Sequence, residues 1–207
     1  MTDMTMDNFL AVLSSSEPVP GGGGACGYVA AVGMSLGNMV LALTTGKKKY
    51  AEYQEEIEEL IVKATDLTKR LAECMDKDAE SFKPLAAAYG LPKDTEEQIK
   101  EREAIMAKAL VTASEAPLSM MEFILEAMKL IYRISVIGSR IAISDAGVGI
   151  TMCEAAMKGA SLNVFINTKL MKDRELADDM NFKADKLLAQ AAQIEEETFG
   201  RVMDAVR

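Results

Sequence analysis

Residues 16–27 read Ser-Glu-Pro-Val-Pro-Gly-Gly-Gly-Gly-Ala-Cys-Gly, and an apolar run behind them continues to the segment Thr44–Tyr50. Two prolines and four consecutive glycines do not continue a helix, so we expect a mobile glycine collar at a helix N-terminus. No charged residue occurs between Glu17 and Lys47. Residues 25–43 are therefore predicted to form an apolar helix, with free backbone N–H groups at one end and three lysines beyond the other.

The composition favours an all-α protein. Aromatic residues make up 5% of the chain, Trp is absent, and the alternation typical of strands is hard to find. Small residues recur in the apolar helix at Gly23, Gly27, Gly33 and Gly37, a spacing that lets a neighbouring helix approach the backbone. We expect one domain over residues 1–207, a multi-helix bundle whose long central helices surround a buried apolar helix.

Apolar spacing and capping residues predict the remaining helices. The connection at residues 84–94 contains Gly90 and Pro92, Pro117 is expected to kink a helix or open a new one, and a break is expected around Gly138. Ser144-Asp145 resembles a helix cap. The predicted helices are residues 5–13, 50–83, 95–115, 118–134, 144–170 and 173–206.

Charge and cysteine usage exclude several functional classes. The net charge of −9 argues against general nucleic-acid binding, because a phosphate-binding surface needs a surplus of Lys and Arg. The chain has no His, and its three cysteines are widely spaced, so we expect no metal site and no disulfide framework. No secretory signal is visible at the N-terminus. These features predict a cytoplasmic protein in a reducing compartment.

Two familiar interpretations of the glycine-rich stretch are also excluded. The uncharged run is long enough to cross a membrane, but the Pro-Gly collar and Asn38 interrupt it, which argues against a span. Gly22 and Gly27 have the separation found in a phosphate loop, but Tyr28 stands where that loop requires Lys. The glycines therefore indicate a close approach of some group to the backbone.

Asp78 is the most informative candidate for chemistry. Helical counting along Leu67, Leu71, Cys74 and Phe82 places its carboxylate on the inward face of the helix. Desolvation there would raise its pKa toward values useful in general acid–base catalysis. An ion pair or an interhelix hydrogen bond explains the same position equally well.

Three further groups of residues have both a functional and a structural explanation. Asp145 is isolated among apolar residues, but an Asp at a helix start also serves as a cap. Asn163 and Asn167 lie one turn apart and are suited to a flat heterocycle or to hydrogen bonds between helices. The run Lys47-Lys48-Lys49 suits an anion, but lysines after a helix also interact favourably with its dipole.

The ordered set of short motifs resembles the formiminotransferase-cyclodeaminase C-terminal domain family over nearly the whole chain. No single motif is specific, whereas their order along the chain is. The motifs are Pro20–Gly24, Thr44–Tyr50, Asp78–Phe82, Ala116–Leu118, Ser144–Gly149 and Asn163–Asn167.

The resemblance implies an all-helical subunit in a tight homodimer, with a folate cleft lined by central helices and by the partner subunit. Asp78 matches the catalytic carboxylate of the family, and residues 46–50 resemble its basic segment, suited to the anionic glutamate tail of a polyglutamated folate. The other matched positions, with binding roles, are Gly21, Gly22, Gly23, Lys47, Lys48, Lys49, Asp145, Asn163 and Asn167. The chain departs from the family at Gly24, where Ser is frequent, so a hydroxyl contact from that position is not expected.

The activity implied first is methenyltetrahydrofolate cyclohydrolase. The methenyl bridge of 5,10-methenyltetrahydrofolate is an amidinium-like cation, so a carboxylate both stabilises it and accepts a proton from the attacking water. No metal or redox cofactor is then required. The first alternative is formiminotetrahydrofolate cyclodeaminase, which the absence of an attached formiminotransferase domain disfavours, although the residues themselves do not separate the two activities. The second is a non-enzymatic helical oligomer.

Overall fold

The computed structural model describes residues 1–207 and contains six α-helices and no strand. Two short 3-10 segments, Lys48–Tyr53 and Arg140–Ala142, precede the third and fifth helices. The prediction of an all-α protein is confirmed. The helices are α1 (Met6–Leu13), α2 (Gly22–Ala42), α3 (Gln54–Tyr89), α4 (Glu96–Ile137), α5 (Ile143–Thr168) and α6 (Arg174–Val206).

Helix α2 packs along α3 on one side and along α5 on another. A Cβ added to Gly27 would lie 3.1 Å from the carbonyl oxygen of Leu71 in α3, and one added to Gly33 would lie 2.8 Å from that of Gly149 in α5. The small residues of α2 thus allow close approach of its neighbours, as predicted. By length and composition alone α2 could cross a membrane. Ten of its 21 residues are buried in the bundle and Met39 is exposed, so the prediction that this helix is buried on all sides is wrong.

The start of α2 differs from the prediction. The helix begins at Gly22, so the glycines at 22–24 form its first turn and Gly21 is the N-cap residue. Glycine in a helix costs backbone entropy, because the unfolded chain has more conformations to lose at glycine than at other residues. Gly23 and Gly24 are buried by tertiary contacts, and these contacts fix a turn that local sequence alone would leave mobile.

Two prolines lie inside helices that were predicted to end near them. Pro84 lies inside α3, and the predicted connection at residues 84–94 therefore starts too early. Pro117 lies inside α4, so of the two alternatives at this proline the opening of a new helix is wrong and one helix runs through it. In both places the buried apolar face continues past the proline, at Leu85 and at Leu118, and this packing outweighs the lost backbone hydrogen bond.

Helix caps agree with the sequence at two of three predicted positions. Thr5 accepts a hydrogen bond from the backbone N–H of Asn8, and Thr95 forms a capping box with Gln98. Asp173, at the predicted start of the last helix, also accepts from the backbone N–H of Leu176. The Ser144-Asp145 cap is wrong, because α5 begins at Ile143 and Asp145 belongs to its first turn. The Ser139 N–H donates to the Thr44 hydroxyl at 2.8 Å, and this contact holds the α4–α5 connection against the end of α2.

Helices α2 to α5 form an up-and-down bundle, and α6 packs against α4 and α5. The bundle consequently has two distinct ends. The glycine end holds the N-terminus of α2 with the C-terminal parts of α3 and α5. The lysine end holds residues 47–53, the α4–α5 connection and the C-terminal part of α6.

Candidate functional site

A cleft of about 390 Å³ opens at the glycine end. The segment before α2 forms one wall, and α3, α4 and α5 form the others. The cleft brings together residues predicted from separate motifs, namely the glycines, Asp78 and both asparagines. Its lining comprises Pro18, Val19, Gly21, Gly22, Gly23, Asp78, Phe82, Tyr89, Ala113, Asn163, Ile166, Asn167 and Leu170.

The Asp78 carboxylate lies directly against the first turn of α2. A Cβ on Gly23 would come well within 3.0 Å of both carboxylate oxygens, a separation that real Cβ atoms essentially never show. Burial raises the pKa of Asp78 above its ordinary value, and the nearby backbone N–H of Gly24 opposes this shift. None of the ion pairs in the structure involves Asp78. The carboxylate is therefore available to a cationic ligand or to a proton.

Asn163 and Asn167 present their amides to the same cleft from one face of α5. The Nδ2 of Asn163 donates to the carbonyl oxygen of Gly159 at 3.0 Å, and the Nδ2 of Asn167 donates to that of Ala113 at 2.9 Å. These bonds orient both amides. Because each nitrogen is engaged within the protein, the Oδ1 atoms are the ones available to accept hydrogen bonds from a ligand.

Apolar side chains complete the cleft, and none of them was predicted as a site residue. Phe82 and Tyr89 continue the face of α3 that carries Asp78, while Ile166 and Leu170 lie across from them on α5. Phe82 and Tyr89 follow Asp78 by 4 and 11 residues in the sequence. This spacing, which places the three side chains on one face of α3, is the feature that could have indicated them. The cleft thus combines apolar walls with three polar side chains, as sites for small molecules commonly do.

Lys47, Lys48 and Lys49 lie at the opposite end of α2, whose 21 residues span about 30 Å. The Lys47 ammonium lies 3.4 Å from the Ser139 hydroxyl, and that of Lys49 lies 5.6 Å from the centre of the Tyr50 ring. A single chain therefore does not bring the lysines and Asp78 into one cleft.

A second cleft, of about 560 Å³, opens beside the lysines. Lys49, Arg140 and Arg201 line it together with Glu197 and Asp204, and none of the three cations is in an ion pair. The backbone N–H of Arg140 donates to the Tyr50 hydroxyl oxygen at 3.2 Å. This bond, with the nearby lysines, lowers the pKa of Tyr50. Neither arginine was predicted from the sequence, because only the fold brings α6 and the α4–α5 connection next to the lysines.

Asp145 lies in neither cleft. It is half-buried in the first turn of α5, at the lysine end. The 18 residues between Asp145 and Asn163 correspond to about 27 Å along the helix. In a single chain this residue is therefore far from Asp78, and its place in the first turn is favourable for an acidic side chain next to free N–H groups.

Comparison with known proteins finds relatives that are named as a cyclohydrolase or as cyclodeaminases. The chain is 37% identical over 202 residues to the methenyltetrahydrofolate cyclohydrolase of Methylorubrum extorquens, covering 98% of this chain and 97% of the relative. It is 27% identical to the formimidoyltransferase-cyclodeaminase of Mus musculus and 30% identical to that of Dictyostelium discoideum, over 92% and 93% of this chain but only 35% of each relative's length.

The fold also matches a solved structure and a family model. The crystal structure of formiminotetrahydrofolate cyclodeaminase from Thermotoga maritima superposes with a TM-score of 0.89, covering 100% of this chain and 99% of that one at 22% identity. That likeness shows a shared fold. The model of the formiminotransferase-cyclodeaminase family matches residues 5–186. With the cleft built from that family's ordered motifs, the chain belongs to the formiminotransferase-cyclodeaminase family.

Proposed function

We propose that this protein is a methenyltetrahydrofolate cyclohydrolase, which hydrolyses 5,10-methenyltetrahydrofolate to 10-formyltetrahydrofolate. The observation that carries the proposal is the Asp78 carboxylate, half-buried in a cleft wall without a cationic partner. The full-length match to a relative that bears this name supports it.

The substrate and the cleft have complementary chemistry. The methenyl bridge carries a delocalised positive charge, which an unpaired carboxylate in an apolar cleft stabilises more strongly than water would. The pterin is flat and carries N–H groups, which suits the apolar side chains of Phe82 and Ile166 and the Oδ1 atoms of Asn163 and Asn167.

The proposed reaction needs one proton acceptor that can also donate. Asp78 takes a proton from water as the water oxygen bonds to the bridge carbon, which gives a neutral hydroxyl adduct. The bond from that carbon to N5 then breaks, N5 receives the proton held by Asp78, and the hydroxyl proton passes through Asp78 to solvent. The carbonyl remains on N10 as the formyl group. We assign no role to a metal or a redox cofactor, since the bridge carbon is already electrophilic.

The second candidate is formiminotetrahydrofolate cyclodeaminase, in which N10 attacks the formimino carbon and ammonia leaves. The full-length fold match to a cyclodeaminase favours keeping it, and so do the relatives with that activity in their names. Asp78 would again move the protons.

Assay of the purified protein with both folates separates these candidates. We expect loss of the methenyl chromophore with formation of 10-formyltetrahydrofolate, and no ammonia from the formimino substrate. Ammonia release without methenyl hydrolysis would contradict the first choice. A protein that binds neither folate would support the non-enzymatic helical oligomer instead.

We infer a homodimer from the outward faces of α2 and α5. Helix α2 carries no charged residue, and its exposed apolar side chains include Met39, with Leu43 exposed at its C-cap. On the neighbouring helix α5, Val148, Leu162 and Ile166 are exposed. Exposed apolar side chains on two neighbouring helices favour an interaction surface, and symmetric pairing of two copies would cover them on both chains.

The same inference explains the distant lysines. If two copies pack with their α2 helices antiparallel, the lysine end of each lies beside the glycine end of its partner. A parallel arrangement would instead bring two sets of three lysines together. We therefore propose that the lysine cleft, with Arg140 and Arg201, holds the anionic tail of a polyglutamated folate whose pterin lies in the partner's Asp78 cleft.

A pair of matched substitutions tests the dimer. Leu162 is 67% exposed on the proposed face, and Val62 is 70% exposed on α3, outside it. We expect Leu162→Glu to halve the molecular mass measured by light scattering and Val62→Glu to leave it unchanged. A monomeric wild-type protein, or two variants of equal mass, would contradict the interface.

We also propose a cytoplasmic location. All three cysteines are free thiols, which is compatible with a reducing compartment. Fractionation of the source cells with an antibody against the protein tests this directly.

A further inference from the structure

The first turn of α2 packs closely against the Asp78 carboxylate. Gly23 has no side chain, and the space its Cβ would occupy is filled by the Asp78 carboxylate. The backbone N–H of the next residue, Gly24, is near enough to that carboxylate to lower its pKa. Two consecutive glycines thus act on the same group, one by leaving space and the other by supplying a donor.

The surroundings of Asp78 offer no other support for a negative charge. Burial raises its pKa, and the Gly24 N–H is the opposing influence. Cys26 on α2 and Cys74 on α3 are titratable neighbours whose thiol pKa values are raised by burial to about 11, so both are neutral. Tyr89 on α3 lines the same cleft. Helix α5 presents the amides of Asn163 and Asn167 to the cleft. The stabilising charge therefore comes from the positive end of the α2 dipole and its free N–H groups.

We propose that the first turn of α2 is a positioning element for Asp78, in which the absence of a side chain at Gly23 leaves room for the carboxylate and the Gly24 N–H favours one of its oxygens. The other oxygen is then presented to the cleft in a fixed direction. This inference rests on the proposed function, because it assigns Asp78 the proton transfer. Gly23 and Gly24 act through Asp78 and are positioning residues.

Fixed geometry matters because the carboxylate has to meet both the water and N5. A base displaced by about 1 Å loses on the order of 100-fold in rate, even when substrate binding is retained. An added methyl group on Gly23 would force a displacement of at least this size, because it would lie within 3.0 Å of the carboxylate.

The test compares Gly23→Ala with Gly27→Ala. A Cβ on Gly27 lies 3.1 Å from the Leu71 carbonyl oxygen, so this control strains the same helix without contacting Asp78. We expect Gly23→Ala to lower kcat by about 100-fold with little change in KM. Gly27→Ala should lose stability but keep its kcat within about threefold. Equal kcat values for Gly23→Ala and wild type would overturn the proposal.

A double variant distinguishes positioning from a general structural role. If Gly23 acts through Asp78, adding Gly23→Ala to Asp78→Asn should cause no further loss of kcat. If the two losses multiply, the glycine acts independently and the proposal is wrong.

Gly24 provides a second test that does not depend on how Gly23→Ala folds. Gly24→Pro removes the N–H in the first helical turn, where proline is tolerated, whereas Gly24→Ala adds a Cβ and keeps the N–H. We expect a larger loss of kcat in Gly24→Pro than in Gly24→Ala, and equal losses would contradict the role of the N–H.

A measurement without substrate separates this inference from the proposed function. The Asp78 pKa can be followed by NMR of the 13C-labelled carboxyl group. We expect it to differ from wild type in Gly23→Ala and to be unchanged in Gly27→Ala. An unchanged pKa in both variants would overturn the positioning role, whereas absence of turnover in wild type would overturn only the proposed function.

Discussion

Asp78 occupies a position on α3 where the pattern of neighbours calls for an apolar residue. Cys74 one turn earlier is buried, and Phe82 one turn later packs against the core. A carboxylate in such a place opposes folding unless the charge has a use or a partner. Its partner within the chain is a backbone N–H, and its proposed use is the cationic bridge of the substrate.

The activity should depend on the ionisation of Asp78. Since burial raises its pKa above the ordinary 3.8 and the base must be ionised, kcat/KM should fall with decreasing pH at a midpoint above 3.8. A pH profile of the wild-type enzyme checks this, and the residual activity of Asp78→Asn should lack that acidic limb. The same limb in both proteins would assign the titration to another group.

Ionisation of Asp78 should favour activity but lower the free energy of unfolding. The folded-state pKa is raised above the unfolded 3.8, so the folded protein binds the proton more tightly. The contribution of the protonated Asp78 carboxyl to the free energy of unfolding is fully present below pH 3.8 and is lost as the pH rises through the pKa of the folded protein. Urea unfolding at about pH 7 should therefore show Asp78→Asn to be more stable than wild type, with the difference shrinking at low pH.

Among single residues, the polar members of the cleft were easier to predict from the sequence than its walls. Asp78 and the two asparagines stand out because polar side chains on apolar faces demand a partner. Tyr89 and Leu170 give no such signal, because an apolar residue on a helix face is equally consistent with packing. Only the arrangement of α3 against α5 assigns them to the cleft.

At the scale of elements, α2 is held by backbone approaches at glycine. Gly33→Ala would place a Cβ 2.8 Å from both the Gly149 carbonyl oxygen and the Cys153 sulfur, so we expect a loss of about 1–3 kcal/mol from overpacking. Gly200 in α6 has no atom within 4 Å of the position that a Cβ would take, and Gly200→Ala should gain about 0.5–1 kcal/mol from helix propensity. Urea denaturation of both variants measures this contrast, and equal effects would contradict the packing of α2 on α5.

Element boundaries were predicted well where capping residues decide them and poorly where packing does. Thr95 and Asp173 satisfy local N–H groups, so their sequence neighbourhood suffices. Pro84 and Pro117 are helix breakers in isolation, and α3 and α4 continue through them because apolar residues on both sides are buried in one core. Packing also decides where α2 begins, because Asp78 and Pro20 lie against the glycines of its first turn.

At the scale of the whole molecule, the two ends of the bundle carry opposite chemistry. The glycine end has a half-buried carboxylate, and the lysine end concentrates cations on a protein of net charge −9. The motifs in the sequence predicted that both ends bind one folate. The length of α2 separates them within a chain, a distance that sequence motifs do not reveal. The proposed antiparallel dimer reconciles the motifs with this separation.

Removing the lysines should weaken binding of the folate tail selectively. With Lys47, Lys48 and Lys49 changed to Ala, KM for a polyglutamated substrate should rise at least about tenfold, because several charge-assisted contacts are lost. KM for the monoglutamate should change much less. The control replaces Lys63, Lys69 and Lys186, which removes the same charge elsewhere. Equal changes for both substrates would argue against tail binding.

The central claim is that Asp78 carries the proton transfer in the glycine-end cleft, and single-turnover conversion of bound 5,10-methenyltetrahydrofolate tests it most directly. For Asp78→Asn we predict wild-type folding, measurable substrate binding, and conversion slower by about 10²–10⁴-fold. Conversion at the wild-type rate by a folded Asp78→Asn protein would contradict the account.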